Sequence, residues 1–96
     1  MAFQKSIELH DFGITLTESY HRLQSVKIES GVLEYTIAVY PSKELRTKNP
    51  GSPIFKTTNR APYELVLAAE GDELFAKTYN FIKANDDQYK VDATDV

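Results

Sequence analysis

Cysteine is absent from this 96-residue chain, which excludes disulfides, thiolate metal sites, iron–sulfur clusters and thiol nucleophiles. Small secreted domains usually depend on such cross-links, so a protein assembled in the cytoplasm is favoured. Long apolar runs are missing too, and we expect no membrane insertion because nothing approaches the length that spans a bilayer. Residues 1–9 mix charged with apolar residues and do not form the continuous apolar segment of a signal peptide.

Basic residues are in the minority. The sequence has 11 Lys and Arg residues against 14 Asp and Glu, a formal net charge of −3. Affinity for the phosphate backbone of nucleic acids depends on an excess of basic side chains. A nucleic-acid partner is therefore not expected.

Histidine is scarce, and neither position predicts a site. His10 stands beside Asp11, a pair that can in principle begin a metal or acid–base site, but the loop composition favours a turn histidine in solvent. His21 follows Tyr20 at the start of a predicted strand, where a structural or solvated role is favoured.

The other features that carry chemistry are missing as well. The terminal carboxylates lack the glycine and the regular spacing of a calcium loop and are typical of a solvated acidic tail; they are Asp86, Asp87, Asp92 and Asp95. Phosphate-binding glycine loops and nucleophile elbows do not occur. We predict no catalytic residues, no cofactor-binding residues and no metal ligands, and we do not expect an enzyme.

The composition, 42% hydrophobic and 26% charged, is typical of a globular chain with one packed core. A chain of this length leaves no room for a second independent core. We predict a single α+β domain over residues 1–85, followed by an acidic C-terminal tail over residues 86–96.

Alternating apolar residues predict the first strands. One face of an extended N-terminal segment carries Phe3, Lys5, Ile7 and Leu9. Residues 14–18 are interpreted as a connection. Residues 20–29 and 33–39 then predict a β-hairpin around Ser30-Gly31. The second of these strands has apolar residues on both faces, which indicates a strand that is central or covered on both sides.

The middle of the chain predicts short elements. Ser42 is expected to cap a helical turn over residues 42–46, followed by an exposed loop over residues 47–53. Two further strands are predicted over residues 54–58 and 63–67, separated by residues 59–62.

One helix is predicted over residues 72–84, with an acidic first turn that suits the positive end of its dipole. Helical spacing places Leu74, Phe75, Thr78, Tyr79 and Ile82 on the stripe that faces the sheet, and Leu74, Phe75, Tyr79 and Ile82 are expected to be largely buried. The expected architecture is α+β, an antiparallel sheet of four to five strands with one C-terminal helix packed on a face.

Charge is distributed unevenly along the chain. Residues 43–60 contain five basic residues and one acid, whereas residues 70–96 contain seven acids and three lysines. Complementary charges orient the association of proteins. Partly exposed tyrosines near the ends of elements often anchor interfaces, although packing at the edge of the core is the commoner reason for such a position. We therefore predict an interface that includes Arg46, Lys48, Arg60 and Tyr89.

Several short motifs together resemble a group of small structural proteins of tailed bacteriophages. The resemblance spans nearly the whole chain and rests on residues 1–9, 13–15 and 19–22, 38–40 before 42–46, 76–83 and 92–96. It implies a virion-associated, tail or baseplate protein without enzymatic activity, which contacts other virion proteins and copies of itself. The alternatives are a capsid decoration protein, or a small acidic protein that binds and modulates a host or phage enzyme.

Overall fold

The computed structural model describes residues 2–9, 13–87, 89–90 and 93–95. The predictions for His10 and Asp92 concern residues outside this set. The described residues form five strands and three helices: β1 (Ala2–Leu9), β2 (Ile14–Glu29), β3 (Val32–Tyr40), α1 (Lys43–Lys48), β4 (Phe55–Pro62), α2 (Tyr63–Leu67), α3 (Leu74–Asn85) and β5 (Thr94–Asp95). The strands form one antiparallel sheet in the order β4-β3-β2-β1-β5. This confirms the predicted α+β class and the antiparallel sheet.

The hairpin of β2 and β3 is confirmed. Its two-residue turn consists of Ser30 (φ 52°) and Gly31 (φ 79°), and two left-handed residues make the turn type that matches the twist of paired strands. Strand β3 is an interior strand between β4 and β2, and its second face is covered where Ala38 and Tyr40 are buried. The hydroxyl of Tyr40 donates to the carbonyl of Pro50, which holds the loop after α1 against this face.

Strand β2 is longer than predicted, because residues 14–18 belong to the strand and are not a connection, and residues 14–16 pair with β1. The pairing register of β2 shifts twice, against β1 between Lys5 and Ile7 and against β3 between Leu23 and Ser25. Each shift inserts one unpaired residue and returns apolar side chains to the same face. Leu23 and Val26 therefore share a face although they are three residues apart.

The strand predicted over residues 54–58 is confirmed from Phe55 onward but is longer than predicted, and the strand predicted over residues 63–67 is wrong. Residues 59–62 continue one strand, β4, which pairs with β3 from Val39 opposite Phe55 to Val32 opposite Pro62. This pairing gives the backbone of residues 59–62 partners that a loop would lack. Residues 63–67 form helix α2. A short apolar run is compatible with a strand or with a helix, and the pairing of β4 with β3 ends at Pro62, a residue that has no amide hydrogen to donate.

Helix α1 begins after Ser42, whose hydroxyl accepts a hydrogen bond from the amide of Leu45, so the predicted cap is confirmed. Helix α3 begins at Leu74, and the predicted acidic first turn is wrong because Asp72 and Glu73 precede the helix. Phe75 was predicted to be buried but is 36% exposed, whereas Ile82 is fully buried. Thr78, which the helical spacing places on the same stripe, is also fully buried, and its hydroxyl donates to the carbonyl of Leu74.

The core contains apolar side chains of β1, β2, β3, β4, α2 and α3 together with Tyr89; its fully or almost fully buried members are Phe3, Leu23, Leu33, Tyr35, Ile37, Val39, Ala61, Val66, Ile82 and Tyr89. The ring of Phe3 stacks between two tyrosines, with centroid distances of 4.6 Å to Tyr79 and 4.6 Å to Tyr89. These stacks join the first strand to α3 and to the C-terminal segment.

The described residues of the C-terminal segment are not a solvated tail. Strand β5 pairs with β1, placing Asp95 opposite Phe3 and Thr94 opposite Gln4. The hydroxyl of Tyr35 donates to a carboxylate oxygen of Asp86 at 2.7 Å, and Lys83 pairs with Asp95. Aromatic stacking, strand pairing and hydrogen bonds therefore attach this segment to the rest of the domain.

Candidate functional site

The basic residues predicted for an interface do not lie on one surface. Arg46 and Lys48 belong to α1, and Lys48 pairs with Glu44 one helical turn away. Arg60 lies near the other end of β4, where its Nε donates to Glu34 on the neighbouring strand at 3.2 Å. Both pairs are exposed, so each contributes only about 0–1 kcal/mol.

Arg46 differs from the other two because part of its guanidinium group is buried. Its Nε atom has no hydrogen-bond partner among the described residues. A buried donor without an acceptor costs about 1–3 kcal/mol, so this group does not stabilise the isolated chain.

The expectation of a partly exposed ring at Tyr89 is wrong. Tyr89 is buried, its ring stacks on Phe3, and the ammonium of Lys5 lies 5.5 Å from the ring centroid. Packing against the core, the other interpretation of a tyrosine near the end of an element, describes Tyr89 instead. The side chain fills the domain's own core and offers little surface to a partner.

His21 is the centre of a buried hydrogen-bonded chain. The hydroxyl of Ser19 donates to the carbonyl of Lys5, so its oxygen accepts from Nε2 of His21, 2.8 Å away. This leaves Nδ1 of a neutral ring as an acceptor for the hydroxyl of Tyr89, also at 2.8 Å. Burial, and secondarily the charge of Lys5, lowers the pKa of His21 to about 4.

A serine hydrogen-bonded to a histidine, as Ser19 is to His21, is a combination that enzymes use as a nucleophile and its base, but the geometry here opposes catalysis. The Ser19 hydroxyl is fully buried and its proton is held by a backbone carbonyl. A nucleophile needs access to a substrate atom, which this oxygen lacks. The hydrogen bonds that run from Tyr89 through His21 and Ser19 to Lys5 therefore join the C-terminal segment to the first two strands.

Burial also affects the tyrosines that hold the C-terminal segment. Burial first, and then the hydrogen bonds and charges of Asp86 and Asp95, raise the pKa of Tyr35 and Tyr79 above the usual range. The pKa of Asp95 is lowered, chiefly by its hydrogen bonds from Lys83 and Tyr79. These groups keep their charge states near neutral pH, so the contacts persist there.

A small groove opens beside His21 and Tyr89. It has a volume of about 230 Å³, and its walls include Ile7, Leu9 and Phe55. A larger groove of about 690 Å³ lies between α2 and α3, where Leu65 and Phe81 contribute apolar surface. Neither groove brings together an acid, a base and a nucleophile that are all accessible.

Metal-binding clusters are not found in the described part of the chain, where no group of three or more His, Asp or Glu side chains is placed to hold an ion. Among the helices that the structure describes, none has the length and apolar character needed to cross a membrane.

Large exposed apolar side chains are the most conspicuous surface feature, and sequence reasoning did not identify them as a group. Most of them lie on α1, on the first part of β4, on α2 and at the start of α3. The full set among the described residues is Ile14, Ile28, Val32, Leu45, Ile54, Phe55, Leu65, Leu67 and Phe75. The sequence does contain one signal of these exposed side chains: residues 63–67 place apolar side chains on both sides of a short helix. Contiguous apolar patches mark surfaces that bind other proteins, whereas single exposed apolar side chains are ordinary.

Comparison with protein-family models, with curated proteins and with solved structures gives no match. The resemblance to small structural proteins of tailed phages therefore remains a prediction.

Proposed function

We propose that this chain is a non-enzymatic structural component of a tailed-phage particle, in its tail or baseplate, and that it acts through contacts with other virion proteins and with copies of itself. The observation that carries the proposal is the set of large apolar side chains exposed within charged surroundings. Leu65 is 56% exposed and Leu67 is 44% exposed on one short helix. Burying such groups against another protein is favourable by about 25 cal/mol per Å².

The proposal includes the arrangement of α3 on one face of the sheet. Full burial of Ile82 and Thr78 supports it, together with the stacking of Tyr79 on Phe3. In this arrangement the core is complete within one chain, so contacts with other proteins use surface groups.

Purified, nuclease-treated particles from the source provide the test. Mass spectrometry is expected to find the chain in stoichiometric copy number with the tail proteins, and in tail preparations freed of capsids. Recovery with capsids alone would indicate a decoration protein. Presence only in lysates of infected cells, or a source genome without phage structural genes beside this one, would overturn the proposal.

A further inference from the structure

Strand β4 forms one edge of the sheet and pairs with β3 alone. Its eight residues, Phe55–Pro62, pair in one continuous register, without the shifts that interrupt the pairing of β2. At the opposite edge lies β5, which has only two residues in the described part of the chain. A long, regular edge presents a row of backbone groups to which an extended segment of another protein can pair.

Alternate residues of β4 direct their backbone N–H and C=O groups away from β3. The amide of Tyr63 donates to the carbonyl of Gly31, one position beyond the last residue pair of the two strands. Because antiparallel hydrogen-bonded pairs recur at every second residue, the odd-numbered residues of β4 bond to β3. The amides and carbonyls of Lys56, Thr58 and Arg60 therefore point outward, and no backbone group of the described residues bonds to them.

The side chains of these three outward-bonding residues lie on one face of the sheet and carry positive charge at both ends. Lys56 and Arg60 are exposed, and Thr58 lies between them. Neighbours on β3 fix this face, because the hydroxyl of Thr58 shares a hydrogen bond with that of Thr36 and the Nε of Arg60 donates to Glu34. The bond to Glu34 uses one of the five N–H donors of the guanidinium group. A strand added beside β4 would place its alternate side chains next to these two cations.

The opposite face of the same edge begins with an exposed aromatic ring. Phe55 is 39% exposed and lines the groove that also contains Ile7 and Leu9. Successive side chains of a strand point to opposite faces, so Phe55 and Lys56 present an apolar and a basic surface on either side of one edge. An added strand with apolar side chains on the face of Phe55 would cover this ring.

The charges of the edge oppose pairing with a second copy of the chain. In the antiparallel register that joins all three outward-bonding residues of two copies, Lys56 of each copy lies opposite Arg60 of the other. Like charges directly opposite each other destabilise a strand pair, whereas opposite charges stabilise it. The edge therefore favours a partner strand that carries carboxylates.

We propose that β4 binds an extended acidic segment of another protein, which adds a sixth strand to the sheet. Carboxylates four positions apart in that segment lie opposite Lys56 and Arg60, and apolar side chains at the intervening positions lie on the face of Phe55. Backbone hydrogen bonds supply the affinity, and the two cations select the sequence. The inference rests on the proposed function in taking another protein as the partner.

Hydrogen exchange of the backbone amides, measured by NMR on the full chain, tests the added strand. The probe is a synthetic nine-residue peptide with two glutamates four positions apart and with valine or threonine elsewhere, at up to roughly 1 mM. The amides of Lys56, Thr58 and Arg60 are expected to exchange at least tenfold more slowly when the peptide is present. The amides of Thr57 and Asn59 bond to β3 and are expected to be protected in both states.

Two modified peptides separate strand pairing from attraction between charges. N-methylation of both glutamates removes amide hydrogens that face β4, and N-methylation of two valines between them removes amide hydrogens that face away. The first peptide is expected to bind at least tenfold more weakly than the second, as measured by fluorescence anisotropy. Equal binding of the two would show that the peptide does not pair as a strand and would overturn the proposal.

Charge reversal tests the selection of carboxylates. Lys56→Glu/Arg60→Glu is expected to bind the glutamate peptide at least tenfold more weakly than the wild type and to prefer a peptide with lysines in place of the glutamates. The control, Lys48→Glu/Lys90→Glu, changes the net charge equally outside β4 and is expected to bind like the wild type. Circular dichroism verifies that each variant is folded.

Three results would overturn the proposal: no saturable binding of the glutamate peptide, equal weakening by both pairs of substitutions, or protection of the three amides by concentration of the chain alone. The last result would identify a second copy as the partner. Peptide binding by a chain that is absent from particles would refute the proposed function and leave the added strand standing.

Discussion

At the scale of single residues, nearly all buried polar side-chain atoms of the described residues have hydrogen-bond partners. Ser19, His21 and Thr78 are each buried and each has a hydrogen-bond partner. Thr57 is different, because its hydroxyl oxygen is buried without a hydrogen-bond partner among the described residues. An unsatisfied buried hydroxyl costs stability that an apolar group of the same shape does not.

Thr57→Val is therefore expected to stabilise the chain, by about 1 kcal/mol, because it removes the unpaired hydroxyl and keeps the branched shape that suits a strand. Urea denaturation monitored by circular dichroism measures the change. Thr58→Val is the matched control, since the neighbouring hydroxyl is exposed and bonds to Thr36. Equal effects of the two substitutions, or a loss of stability from the first, would contradict the expectation.

His21 makes stability depend on pH. The pKa of its ring is about 4 in the folded chain and 6.5 in the reference state, so above pH 6.5 the ring is neutral in both states. As the pH falls from 6.5 towards 4, the unfolded chain takes up a proton that the folded chain does not. The free energy of unfolding then decreases by up to about 1.4 kcal/mol per pH unit.

Denaturation at pH 7 and at pH 5 tests this dependence against His21→Gln, whose amide can donate and accept hydrogen bonds but does not titrate. The wild type is expected to lose up to about 2 kcal/mol more than the variant between these pH values. Titration of the carboxylates changes the free energy of unfolding of both proteins alike, so it cancels in the comparison. Parallel losses in the two proteins would show that His21 is not held in its neutral form.

At the scale of elements, the connection between α2 and α3 depends on a glycine. Gly71 has φ 134°, a backbone angle that residues with a side chain rarely adopt. A Cβ added at this position would lie 2.8 Å from the amide nitrogen of Lys77 and 2.9 Å from Ala76. The close contact is with backbone atoms of α3, which cannot move without distorting the helix. The turn therefore needs a residue without a side chain.

Gly71→Ala is expected to cost about 1–3 kcal/mol and to disturb α2, whose five residues are too few to form a stable helix alone. Thermal denaturation measures the loss. Gly51→Ala serves as the control, because its added Cβ meets nothing within 4 Å and its backbone does not require glycine. The expectation fails if the two substitutions change the melting temperature equally.

At the scale of the whole molecule, the first strand and the last residues close the domain together. Phe3 lies in the stack with Tyr79 and Tyr89, and Tyr89 also bonds to His21. These contacts join residues more than 60 positions apart in the sequence. The division into residues 1–85 and 86–96 stays a prediction about folding units.

Removal of residues 86–96 is expected to destabilise the chain by more than about 3 kcal/mol, because the large buried ring of Tyr89 leaves a cavity beside Phe3. Tyr89→Phe keeps the ring and removes the hydroxyl, so its cost is expected near 1 kcal/mol. Chemical denaturation of both proteins checks the order of the two effects. A truncated chain as stable as the full one would show that residues 1–85 fold independently of the tail.

Local chemistry determined several parts of this fold by itself. The Ser30-Gly31 turn and the Ser42 cap use side chains and backbone conformations that act within three residues, so they are visible in the sequence. The α+β class followed from the alternating patterns and the one long helical pattern, and the absence of cysteine excluded thiol chemistry outright.

Only the tertiary structure decided the rest. The two bulges of β2 depend on partners in β1 and β3, and residues 59–62 extend β4 because β3 lies alongside to pair with them. The burial of Tyr89 and the lowered pKa of His21 arise from a contact across 68 positions. The separation of Arg60 from Arg46 and Lys48 likewise depends on how the chain folds. Local propensity carries no information about which distant residues come into contact, and each of these features depends on such a contact.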